Sequence, residues 1–147
     1  MANIGEYLPT PEAGWVRYED TDSIVAYSTD WVHSGADPAY TGSGMSYTYT
    51  IGATATVTFI GVGIRIISYG TVNHSNSVTY TIDGIQSIVS HSDIGVKVVS
   101  YEALNLTNTQ HVLTIVNNTD KAVVLDAMDI SIIEIPEVNC QLFTSGL

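Results

Sequence analysis

Three threonines, at 54, 56 and 58, alternate with Ala55, Val57 and Phe59. Hydroxyls on one side and apolar groups on the other at period two describe a half-buried strand, because successive side chains of an extended backbone point to opposite faces. The same period returns in SVTYTI from Ser77, and VGIRIISY from Val62 follows directly after Gly61. Between SVTYTI and IQSIVS stands Asp83-Gly84, a pair that accepts the positive φ angles of a two-residue hairpin. Further strands are expected at about 96–104, 110–117 and 122–135, each closed by Asn, Asp, Gly or Pro. No segment carries a convincing helical period. Roughly eight to ten short β-rich strands separated by turns predict an all-β fold, an antiparallel jelly-roll β-sandwich.

The chain has 147 residues, which fits one domain with a sizeable core. Residues 1–14, with Pro9, Pro11 and Gly14, read as an N-terminal arm, 15–135 as the sandwich, and 136–147, after Pro136, as a C-terminal extension. With 45% hydrophobic and 13% charged residues, the chain must bury its apolar groups in a core or against a partner. Such arms would suit strand exchange or capture by neighbouring molecules.

A net charge of −11 repels polyanions, so neither nucleic acid nor an anionic membrane is an expected partner. No charged n-region precedes an apolar core at the N-terminus, and no apolar run approaches the ~20 residues of a membrane helix, so a chain without signal peptide or membrane span is expected. Cys140 is the single cysteine and has no zinc-ligand spacing around it. No glycine-framed nucleophile, Cys-His pairing or facing carboxylate pair is recognisable, so no catalytic residues and no enzyme activity are expected. Asp126 and Asp129 are three apart and would point to opposite faces of a regular strand, Asp126 toward backbone amides or a turn and Asp129 toward solvent.

Residues 12–31, EAGWVRYEDTDSIVAYSTDW, hold both tryptophans and five carboxylates around Arg17. Trp15 and Tyr27 are expected to pack, Arg17 to pair with Glu19, Asp20 or Asp22, and Trp31 to leave one face open. With YTYTIGATATVTFIGVGIRIIS at 47–68, VTYTIDG at 78–84, HVLTIVNNT at 111–119 and VVLDAMDI at 123–130, this order of features resembles the β-sandwich domains of bacteriophage tail and prophage proteins. That family is similar in fold to galactose-binding-like carbohydrate-binding modules. The resemblance implies a virion protein of the tail or a surface-decorating fibre that reads host-surface carbohydrate, or else a purely structural decoration protein. It also implies other virion proteins as partners and a homo-oligomer, a trimer if the domain heads a fibre.

The loops HSGADPAYTGSG (33–44), YGTVNHSNS (69–77) and HSDIG (91–95) combine aromatic rings with amide, hydroxyl and imidazole groups, the mixture that stacks on a pyranose and bonds its hydroxyls. Candidate sugar contacts are therefore Trp31, Tyr40, Tyr69, Asn73, His74, Asn76 and His91. Glu19, Asp20 and Asp22 are the hard-oxygen residues with which a structural calcium would be held, the alternative being a solvated acidic turn. No other cofactor is expected.

Overall fold

The structure is a computed structural model that describes residues 2–35, 42 and 44–132. Eleven strands are present among these residues: β1 (Trp15–Glu19), β2 (Val25–Tyr27), β3 (Val32–Ser34), β4 (Met45–Thr48), β5 (Thr54–Gly61), β6 (Gly63–Gly70), β7 (Val78–Ile82), β8 (Ile85–Val89), β9 (Gly95–Ala103), β10 (Thr109–Asn117) and β11 (Val123–Ser131). They form two antiparallel sheets facing one another, so the expected jelly-roll sandwich is the fold observed. The strands expected from Thr54 onward lie close to their observed positions, and β1 to β3 add short pairings in the region of the tryptophans.

One sheet runs β2-β5-β10-β7-β8. Its ladders have no register shift, so Thr56, Thr114, Thr81 and Gln86 stand side by side across four strands on the solvent face. The opposite face carries Val57, Leu113 and Ile82 into the core. At the tip of the β7–β8 hairpin, Asp83 and Gly84 have φ of 52° and 77°, the positive pair that the turn requires.

The other sheet runs β3-β4-β11-β6-β9. Strand β11 pairs with β6 along one edge, and along the other with β4 over Val123–Leu125 and with β1 over Ala127–Ser131. The ladder to β6 shifts register between Leu125 and Ala127, so β11 is not the regular strand on which the two aspartates would take opposite faces. All nine residues of β11 are buried. Its inner face contributes Leu125, Met128 and Ile130 to the main core, and its outer face is covered in part by the N-terminal arm.

That arm folds back on its own sheet. Gly5 and Leu8 donate to the carbonyls of Val99 and Lys97 at 2.7 Å, and Val99 donates to Glu6 at 3.0 Å, so the arm closes the β9 edge. Ala2 and Leu8 complete a small apolar cluster with Ile67, Val99 and Ala127. Beside it Arg65 is fully buried, donating to Glu12, to Glu102 and to the Ala2 carbonyl, with its guanidinium 4.1 Å from the Trp15 ring centre. Trp15 thus serves packing, as expected.

Two expectations in this region are corrected. Arg17 does not pair with Glu19, Asp20 or Asp22; its Nε and Nη2 donate to the two carboxylate oxygens of Asp129, at 2.6 and 2.8 Å. Asp129 is accordingly fully buried and not solvated. A charge enters such an interior only with a partner that holds it from two sides.

Candidate functional site: an aromatic depression on the outer face of one sheet

The arm covers only part of the outer face of the six-stranded sheet. Beyond it the register places Val32, Tyr47, Val124 and Tyr69 in one row across β3, β4, β11 and β6. Tyr49 lies two residues beyond Tyr47, and the two rings meet edge to face with centres 5.8 Å apart. Tyr69 makes the same kind of contact with His74 at 5.2 Å. These rings, with Ser34, Met45, Ala122 and Val124, line an open depression of about 370 Å³. Tyr49 is 62% exposed although it is a large aromatic already in contact with another, which leaves a ring face available for stacking.

His74 is fixed in one tautomer. Its Nδ1 accepts from the backbone N–H of Thr71 at 2.8 Å, so the ring proton resides on Nε2. Burial holds its pKa below the ordinary histidine value, and the ring is a neutral donor. His33, on β3, donates from Nδ1 instead. Ser46 donates to Asp20 Oδ2 at 2.6 Å, so its oxygen receives the Nδ1 proton of His33 at 2.5 Å. Asp20 itself is buried, and desolvation raises its pKa while the Ser46 bond and nearby His33 oppose the rise. His33 lines a second depression, of about 290 Å³, with Glu19, Asp20, Thr21, Gly35, Gly42 and Gly44, and Ser34 borders both. A sugar hydroxyl is donor and acceptor at once, and the Nε2–H of His74 offers it a donor.

Of the expected contacts, Tyr69 and His74 are brought together. Asn73 and Asn76 are exposed in the same loop and do not line the depression. Tyr40 lies outside the described residues. Trp31 is a correction: it is 8% exposed, its indole N–H donates to the Thr54 carbonyl at 2.9 Å, and its ring packs on Tyr27 with centres 5.0 Å apart. His91 is a second correction, being fully buried with Nε2 2.6 Å from the hydroxyl of Tyr80. Glu19, Asp20 and Asp22 do not converge: Asp20 turns inward to Ser46, Asp22 accepts from the Ile24 amide, and the Glu19 side chain lies beneath Gly42. Among the described residues no three His, Cys, Asp or Glu side chains are grouped to hold a metal ion. Tyr47 and Tyr49 were not singled out from the sequence, although their spacing of two in SYTYT already places both on one face.

Buried His91 makes stability depend on pH. Desolvation lowers its pKa to about 3, whereas the unfolded chain titrates near the ordinary value of about 6.5. Its contribution is therefore intact above about pH 6.5 and is lost as pH falls from there toward about 3, because the unfolded state binds the proton first. His74 acts in the same direction, and His111, whose pKa is raised by its bonds to the Thr107 carbonyl and Asp83, acts oppositely. Denaturant melts are expected to show stability declining between about pH 6.5 and 5, above the range of ordinary carboxylates. His91→Gln should flatten that decline, and an unchanged slope would remove His91 as its source.

No family model matches the chain, and no curated protein matches its sequence. Solved structures do match in fold. The CBM35 module from Cellvibrio japonicus Abf62 superposes with a TM-score of 0.61 at 13% identity, covering 79% of this chain and 91% of that one. A family two carbohydrate esterase from Cellvibrio japonicus gives 0.62 at 12% identity, over 81% of this chain and 34% of the esterase. The GH26-CBM35 β-(1,4)-mannanase from Podospora anserina gives 0.58 at 20% identity, over 84% and 29%. The chain thus spans about a third of the two enzymes and nearly the whole of the isolated module. At these identities the likeness is one of fold.

Proposed function

We propose that this chain is a non-catalytic carbohydrate-binding domain whose site is the depression formed by Tyr47, Tyr49, Tyr69 and His74. The observation that carries the reading is the exposure of Tyr49 beside two further tyrosines and a histidine held as a neutral Nε2 donor. Ring faces would cover the apolar side of a pyranose while His74 and Ser34 bond its hydroxyls. The fold shared with a CBM35 module adds support. The order of sequence features shared with phage tail sandwiches supports placing the domain on a virion, where its ligand would be host-surface polysaccharide.

The test is binding of the purified protein to neutral and wall polysaccharides by calorimetry and affinity electrophoresis. Tyr49→Ala and Tyr69→Ala are each expected to weaken binding by about tenfold, the equivalent of roughly 1.4 kcal/mol. Ala substitution of Asn73 should leave it within about twofold, because that residue lies outside the depression. Binding that survives the paired tyrosine variant would overturn the site. A folded protein that binds no polysaccharide would overturn the function and favour structural decoration of a particle.

A further inference from the structure

The sandwich treats its sheet edges unequally. The β9 edge is closed by the N-terminal arm, β2 and β3 have only three residues each, and β1 carries Arg17 and Glu19. Short, charged or covered edges are how β proteins avoid unwanted pairing. Among the described residues, β8 is the exception: five residues, IQSIV, with no charge, no proline and no bulge. Ile85 and Ile88 on this strand are 68% and 67% exposed.

We infer that β8 is a docking edge for a second copy of this chain, paired antiparallel about a two-fold axis through Ser87. Residues flanking a two-residue hairpin exchange both backbone bonds, so Ile85, Ser87 and Val89 face β7, and the amides and carbonyls of Gln86 and Ile88 aim outward. A two-fold axis at Ser87 sets Gln86 opposite the second copy's Ile88 and Ile88 opposite its Gln86, which satisfies all of these groups in two closely spaced pairs. The same register lays exposed Ile85 against the second copy's Val89. Charge selects the occupant as well. Two copies each carrying −11 repel over most of their surfaces, yet this strand and the row it continues, Thr56, Thr114, Thr81 and Gln86, hold no ionisable group. The paired sheets would run continuously through ten strands. Neither the arm nor the aromatic depression is involved, so the inference stands whether or not sugar is bound.

Sedimentation equilibrium of the full chain over a concentration series is expected to show the mass doubling. Ile88→Glu should weaken the dimer at least about tenfold, whereas Gln110→Glu, exposed on the same face but away from the edge, should not. In a Cys140→Ser background, Ser87→Cys should oxidise to a symmetric disulfide dimer, because residues on the axis form the non-hydrogen-bonded pair with the closest side chains. Gln86→Cys in the same background should not. A monomer at every concentration with no Ser87→Cys crosslink overturns the inference. Slow hydrogen exchange at the Gln86 and Ile88 amides of a monomer would also overturn it, by showing that the edge is already covered within one chain.

Discussion

Asp129→Ala is expected to cost about 3–5 kcal/mol of folding stability, a large part of what a domain of this size has. The carboxylate is fully buried and takes both Nε and Nη2 of Arg17, whose side chain is 8% exposed. Removing it leaves a guanidinium inside the protein with, among the described residues, only the carbonyls of Leu8 and Pro9 for partners. Those two carbonyls belong to the N-terminal arm, so the damage should spread. Hydrogen exchange at the Gly5 and Leu8 amides, which close the β9 edge, should accelerate along with the global loss. The double variant Arg17→Met, Asp129→Leu should recover much of the stability, because an apolar pair of similar volume carries no desolvation cost. A single variant that melts within about 1 kcal/mol of the parent would show that the pair behaves as a surface ion pair.

Gly70→Ala is the second change with a large effect. A methyl at this position would overlap the His91 carbonyl oxygen and stand 2.8 Å from its carbon, with Ile94 at 3.0 Å. The obstacle is backbone, and it is pinned, since the His91 amide donates to the Ser75 carbonyl at 2.8 Å while the ring is held at Tyr80. Relief requires moving the segment that follows β8 together with a buried imidazole. We expect a loss of roughly 3 kcal/mol and a fall in Tm of roughly 10 °C. Gly35→Ala, where nothing among the described residues lies within 4 Å and φ is not positive, is the matched control and should be neutral. A Tm for Gly70→Ala equal to that control would mean the β6–His91 approach is looser than the geometry states.

How far the sequence alone reached depended on the range of the interaction concerned. The alternation of Thr54–Phe59 and the Asp83-Gly84 turn are local, and both predicted their elements. Strands β2 and β3, at three residues, are too short for a period to register, and they exist because β5 and β4 hold them. Asp129 looked like a solvated carboxylate because its partner is 112 residues away. Trp31 looked free because the carbonyl that receives its indole proton is 23 residues downstream. Tyr69 and His74 were legible as members of one loop. The chain of bonds from His33 to Ser46 to Asp20 joins separate segments that meet only in the folded protein.

The placement of the last two strands also governs how the chain matures during synthesis. β11 is the only strand joining β1, β4 and β6, and β10 is the only one joining β5 to β7 among the described residues. As a ribosome releases the chain from its N-terminus, the nine earlier strands emerge before either sheet has its centre. Until β10 has left the exit tunnel β5 and β7 are not joined, and until about residue 131 has left it β1, β4 and β6 are not joined, so both sheets stay in fragments and nascent-chain chaperones would meet their apolar faces at that stage. The six-stranded sheet is therefore completed last, and a chain ending before β11 would lack the strand that joins β1, β4 and β6.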